Sequence, residues 1–324
     1  DLLSEPEQQL LVRLGVFPTG ADLDRIVAVT RPLEDLGLDP IAGLSGLVEH
    51  SLLVADETTG SLRFRMLETI REFASRLLAA SPEAEVIRSR HTAAYCALVE
   101  EAEPHLVGPE SHPWMARLGS ENANLQAAFA HAVDVGDAES AQRIVAAAWR
   151  FWQVRGHLGE AMRAAESALD LEGSPEVVRA RALDATGSVA YWTGDAEATR
   201  RYYDEAVTYR REHGITDGLA VALFNLSFPV ADQDGRDAAT AILTEAAELF
   251  AQAGDRHGES QVRVALGRAW IADDPQLAAR HAEDAAIGYE EIGDTTWAAW
   301  APVSYTHLTL PTNTVTWRTR GAPG

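Results

Sequence analysis

Ten histidines, one cysteine and 49 acidic side chains carry whatever metal, nucleophilic or acid–base chemistry this 324-residue chain has. None falls into a spacing that such chemistry needs. His105 and His112 lie seven apart across a Pro/Gly loop, without the H-x-x-x-H or C-x-x-C spacing that sets a tetrahedral site. Asp232-Gln233-Asp234-Gly235-Arg236-Asp237 has the acids with which a calcium loop begins, but the Gly comes too early and position twelve is Leu243 rather than Glu. A turn between helices is the better account. Cys96 stands among Ala and Leu, the setting of a small core residue. No G-x-S-x-G elbow is present, and the pairs Glu100-Glu101 and Glu290-Glu291 read as solvated helix faces. All 27 basic residues are Arg, so there is no P-loop lysine, Schiff-base lysine or lysine general base. The expectation is a chain with no catalytic, cofactor or metal site of its own.

Recognition chemistry is concentrated instead in aromatic residues: Trp149, Phe151 and Trp152, then Tyr191 and Trp192, then Tyr202 and Tyr203. Trp149 and Trp152 are three apart and share a helix face, while Phe151 points elsewhere. Packing between helical hairpins explains most of them. The functional reading is that first helices of stacked hairpins line a groove in which Trp149, Trp152, Tyr191 and Trp192, with Arg155 as charged companion, anchor a protein partner or a small inducer.

Charge narrows the partners. A net charge of −22 repels phosphate backbones and anionic lipid surfaces, so neither direct nucleic-acid binding nor a membrane role is expected. No apolar run approaches the ~18 residues of a membrane span, and no signal peptide is evident. One cysteine cannot make an internal disulfide, which fits a reducing, cytoplasmic compartment. A first residue of Asp rather than Met fits a piece of something longer. The composition breaks at Pro302: every acid lies before it, while Pro302–Gly324 holds none and carries six Thr. Pro302–Thr312 resembles a translated transposase mosaic-end sequencing adapter, one frame of which spells those eleven residues. Residues 302–324 are therefore read as a non-native tail.

The elements that position these residues begin with a small domain, 1–80. Ser4-Glu5-Pro6-Glu7 fits a capping box before Leu10, Leu11 and Leu14 at helical spacing, and Gly15 and Pro18 end that helix. Thr19 is placed to cap a second helix with Leu23, Ile26 and Val27, and Asp39-Pro40 opens a third with Leu44, Leu47 and Val48. Strands are expected at Ser51–Ala55 and Ser61–Met66 around the turn Asp56-Glu57-Thr58-Thr59-Gly60. A helix from Leu67 to Leu78 should bury Leu67, Ile70, Phe73, Ala74 and Leu77. Three helices and a hairpin in this order make a winged helix. Its third helix holds no Arg, Asn or Gln to read bases, and the hairpin tip is acidic, which favours a protein-packing module over a DNA reader.

A helical connector, 81–135, leads into repeats over 136–301. Gly187, Ser227 and Gly267 are each 40 residues apart, as are Ala206, Ala246 and Ala286, and Gly194, Asp234 and Asp274. A weaker copy has Gly156 at the turn and Ala168 in the second helix. Leu183/Gly187, Leu226/Ser227 and Leu266/Gly267 are similar to the Leu-Gly positions of tetratricopeptide repeats, whose usual unit of about 34 residues makes these helices longer than standard. The fold class is thus mostly α: a small winged-helix domain followed by an α-solenoid of tetratricopeptide-like hairpins.

Three strings occur in order: Phe64-Arg65-Met66-Leu67-Glu68-Thr69-Ile70-Arg71-Glu72-Phe73-Ala74, Glu121-Asn122-Ala123-Asn124-Leu125-Gln126-Ala127-Ala128, and Trp149-Arg150-Phe151-Trp152-Gln153-Val154-Arg155-Gly156-His157-Leu158-Gly159-Glu160. Together they resemble the region after the nucleotide-binding domain in STAND-type ATPases, the AfsR-like and LuxR-like transcriptional regulators of actinobacteria. The resemblance implies an NTPase module ahead of the winged helix, with helical repeats behind it as sensor of a protein or inducer. Nucleotide exchange and inducer binding then switch a closed monomer to an active oligomer. The module itself is not in this chain, so ATP and Mg²⁺ are implied only for that upstream domain, itself a partner of the winged helix. Two other functions fit the residues: a DNA-binding transcription factor working through the winged helix, and a stand-alone repeat scaffold.

Overall fold

In a computed structural model the chain is described at residues 2–31, 37–57, 62–295, 297–299 and 301. The turn residues 58–60, Ser61 and the tail 302–324 lie outside them. The chain forms two compact units that divide between Tyr202 and Tyr203.

The first unit opens with the winged helix. Helix α1 (Glu5–Leu14) starts where the Ser4 backbone N–H and hydroxyl both donate to the Glu7 carboxylate, at 2.8 and 2.7 Å. These bonds hold the Glu7 pKa below the ordinary carboxylate value. Strand β1 (Ala21–Asp22), helices α2 (Leu23–Thr30) and α3 (Pro40–Glu49), strands β2 (Leu53–Asp56) and β3 (Arg63–Met66), and helix α4 (Glu68–Ala79) follow. The sheet is antiparallel in the order β1-β3-β2, with Ala21 opposite Phe64 and Leu53 opposite Met66. Leu10, Leu14, Phe17, Ile26, Val29, Leu44, Leu47 and Leu53 fill the core.

Two local expectations are corrected here. The cap of α2 is Asp22, whose Oδ1 accepts from the Arg25 N–H at 2.8 Å, and not Thr19. The reason is β1: pairing with β3 keeps residues 21–22 extended and moves the helix start inward. On α4 the buried residues are Ala74 and Leu78, whereas Leu67, Phe73 and Leu77 are exposed. Both stripes of α4 are apolar, so periodicity alone does not choose between them.

Helices α5 (Ala84–Ala102), α6 (Ser111–Val135), α7 (Ala138–Arg155), α8 (Leu158–Leu169) and α9 (Glu176–Thr193) continue the unit, with a 3₁₀ turn at Glu103–His105. Helix α7 packs on both α8 and α9, and α8 on α9, the arrangement of stacked hairpins. Cys96 is buried in α5, and that burial pushes its thiol pKa up to about 12. The folded protein at pH 8 should therefore resist thiol reagents such as a disulfide dye, and become reactive on unfolding. A native-state reaction as fast as that of free cysteine would contradict this packing.

Helix α10 (Ala196–Glu212) carries the division between the units. In the second unit, α11 (Leu219–Gln233), α12 (Arg236–Ala253) and α13 (Arg256–Trp270) pack in sequence around Leu223, Leu226, Val230, Leu243, Phe250 and Val262, and α14 (Pro275–Glu291) packs on α13 in a separate cluster through Ala285 and Tyr289. The 40-residue period is now explained. Gly187, Ser227 and Gly267 fall in the first helices α9, α11 and α13, and Ala206, Ala246 and Ala286 in the second helices α10, α12 and α14. A β-carbon at Gly267 would stand 3.1 Å from the Ala278 carbonyl oxygen, so the small residue marks a close crossing of α13 and α14. Asp232–Asp237 spans the end of α11, the turn Asp234-Gly235 and the start of α12.

Candidate functional site

The winged helix is joined to the helices behind it by a buried polar cluster. On α6, Leu118, Glu121, Leu125, Ala128 and Ala132 fall on one buried stripe, so Glu121 occupies a core position. Its carboxylate receives three donors. The Tyr95 hydroxyl of α5 donates at 2.8 Å, the Asn124 amide at 2.7 Å, and the Arg63 guanidinium of β3 closes an ion pair. Arg63 also donates to the Gly20 carbonyl at 3.2 Å, and Asn124 donates to that carbonyl at 2.9 Å and to the Thr19 hydroxyl at 3.3 Å. Strand β3 and the segment entering β1 are thus held to α5 and α6. Burial, then the Glu121 charge, drives the Tyr95 pKa well above its ordinary value. Burial opposes the Arg63 charge, but its hydrogen bond and charge pairing with Glu121 outweigh this and raise its pKa.

Beside the cluster, His91 is buried between the rings of Phe17 (5.3 Å) and Tyr95 (4.6 Å), and burial lowers its pKa to about 4. The unfolded chain takes up this proton near pH 6.5, the folded chain only near 4. Between those values the unfolded state binds more protons, so the His91 contribution is full above pH 6.5 and is lost as pH falls toward 4. At pH 5 the loss is about 2 kcal/mol. Urea midpoints at pH 7 and pH 5 should converge in His91→Phe relative to the parent chain; an identical pH dependence would remove His91 from the account.

The helix that would enter a DNA groove is poorly furnished for it. On α3 the exposed residues are Ile41, Ala42, Ser45 and Glu49, followed by His50, with no Arg, Asn or Gln among them.

The aromatic residues separate into distinct places. Trp149 is half-buried on α7, with the Arg150 guanidinium 4.8 Å from its ring centre, and burial lowers the Arg150 pKa. Phe151 is buried. Trp152 is only 7% exposed, and with Phe129 of α6 and Glu160, Arg163 and Ser167 of α8 it lines a cleft of about 340 Å³. Arg155 reaches α6 instead, donating to the Met115 carbonyl at 3.1 Å. Tyr191 and Trp192, at the end of α9, are 51% and 49% exposed, with rings edge-on at 5.9 Å. Tyr202 is buried and donates to Glu166 at 3.2 Å, and Tyr203 is buried in the second unit.

Sequence reasoning did not assign a role to Arg63, Tyr95, Glu121 or Asn124. The signal was present: an acid at a core position of the α6 stripe requires a buried partner. Phe129, Glu160 and Arg163 carried no such signal, because only the packing of α6, α7 and α8 brings them together.

A family described as a winged helix-turn-helix domain matches residues 3–79. Over 307 residues the chain is 31% identical to proteins of Mycobacterium bovis and Mycobacterium tuberculosis named as HTH-type transcriptional regulators, covering 90% of this chain and 34% of theirs. It therefore spans about a third of the length of these curated relatives. Among solved structures, the apo form of RapI aligns over 74% of this chain and 91% of its own with a TM-score of 0.50 and 12% identity, a likeness of fold. A Pyrococcus horikoshii STAND protein with a tetratricopeptide repeat sensor aligns over 94% of this chain and 60% of its own, with a TM-score of 0.48 and 14% identity, too distant to bear on function. The chain is a winged helix-turn-helix domain followed by a helical region of tetratricopeptide-like repeats.

Proposed function

We propose that this chain is the regulatory and sensor portion of a signal-transducing, ATPase-type transcriptional regulator working in the cytoplasm. Its repeats take up a protein or inducer, and its winged helix passes the resulting change to an NTPase module outside these residues, where ATP and Mg²⁺ bind. The observation that carries the reading is the Glu121 cluster. A winged helix tied to α5 and α6 through a buried ion pair moves with those helices, as a relay between sensor and switch must. Support for the receiving end comes from the Trp152 cleft, of a size that takes a small ligand, and from the half-exposed Tyr191/Trp192 pair, suited to anchoring a protein. The names of the mycobacterial relatives agree with a role in transcription. Direct DNA reading through α3 has no side chains to support it.

A ligand shifts such a relay only if it binds the two states with different affinity. The test is transcript sequencing in cells carrying the gene, comparing its deletion with the double substitution Tyr191→Ala/Trp192→Ala. Both side chains are half-exposed, so folding should survive. The same transcripts should change in both strains. A deletion that leaves all transcripts unchanged would sink the regulatory reading, and a silent double variant would remove this pair as the sensor contact.

A further inference from the structure

The winged helix carries an open apolar groove that its own fold does not use. It lies between α1 and α4, has a volume of about 980 Å³, and is walled by Leu3, Val12, Phe73 and Leu77 among others. Phe73 is 50% exposed, and Leu77 is also exposed. The charged side chains lining the groove are both acids, Glu5 and Glu83. Glu5 stands exposed in the first turn of α1, and Glu83 remains half-exposed although Arg13 holds its two oxygens at 2.7 and 3.0 Å.

We propose that this groove is a docking site for an amphipathic helix of a partner protein, with apolar residues at i, i+3 or i+4 and i+7 and with basic residues flanking them. Two helix walls with an apolar trough between them accept the apolar stripe of a third helix, as other helix-in-groove sites do. The acids at the edge, in a chain of net charge −22, select a basic flank. They disfavour a second copy of this chain, since a twofold contact would bring like charges together. The proposal rests on the reading of the winged helix as a packing module, and the test separates the two.

The probe is a fluorescein-labelled peptide of about 14 residues, some 21 Å as a helix, with Leu at the stripe positions and Arg at both ends. It is titrated with the full chain and followed by anisotropy, beside a Glu-ended counterpart and a labelled DNA duplex. The Arg-ended peptide should bind saturably. The Glu-ended peptide, and the Arg-ended peptide with Phe73→Asp or Leu77→Asp, should each bind at least about tenfold more weakly, with circular dichroism unchanged. The duplex should not bind. Absence of peptide binding, equal binding of both peptides, or binding indifferent to both substitutions would overturn the groove assignment. So would self-association of the chain that Phe73→Asp abolishes. Salt-sensitive capture of the duplex would instead overturn the packing-module reading, whatever the peptides do.

Discussion

Glu121→Ala should cost the first unit about 3 kcal/mol of stability, because it leaves the Arg63 guanidinium and the Tyr95 hydroxyl buried without their shared acceptor. The penalty comes from the orphaned partners more than from the lost attraction. Arg63 is not fully buried, which places the value at the lower end of the range for broken buried pairs. A compensated variant, Arg63→Met/Glu121→Leu/Tyr95→Phe, removes both orphans and should recover most of the loss. Urea unfolding of the three proteins reads both effects. A single-variant loss below about 0.5 kcal/mol, the scale of an exposed pair, would mean that the cluster is solvated in solution.

Gly20→Ala should cost a similar amount, about 3 kcal/mol, by a different route. Gly20 has φ of +75°, where an L-residue carries a penalty. A β-carbon there would also overlap the Phe64 carbonyl oxygen and lie 2.8 Å from the Arg65 Cα, and backbone cannot rotate away as a side chain can. The carbonyl of Gly20 accepts from both Arg63 and Asn124, so displacement of this residue disturbs the cluster as well. The two losses should therefore fall short of additive in Gly20→Ala/Glu121→Ala. A full sum, measured by the same urea series, would show the sites to be independent.

Much of this was written in local sequence. The capping residues Ser4 and Asp39, the turns at Gly156 and Gly194, and the 40-residue recurrence of small residues each describe a neighbourhood that the chain builds from adjacent residues. What was not legible depends on residues far apart. Strand β1 is two residues long, too short for any period, and exists because Phe64 and Arg63 lie across from it. The outward stripe of α4 is as apolar as the inward one, and only the packing against α1 decides between them. Trp152 and Arg155 look like companions three residues apart, yet the first is buried toward α8 and the second is drawn to the Met115 carbonyl of α6.

Helices α5 and α6, within the helical connector 81–135, complete the setting of the winged helix through Tyr95, Glu121 and Asn124, and the first compact unit runs on to Tyr202. In the proposed function, these helices give the sensor a direct route to the winged helix.

Native-state hydrogen exchange tests that claim most directly. If the winged helix and the helices behind it move as one body, the β3 amides at Phe64 and Arg65 and the α6 amides around Glu121 should share one opening free energy. Glu121→Ala should then lower both by the same amount. Protection of β3 that stays well below that of α6 in the parent chain, and does not respond to Glu121→Ala, would show a winged helix that opens independently and would contradict the relay.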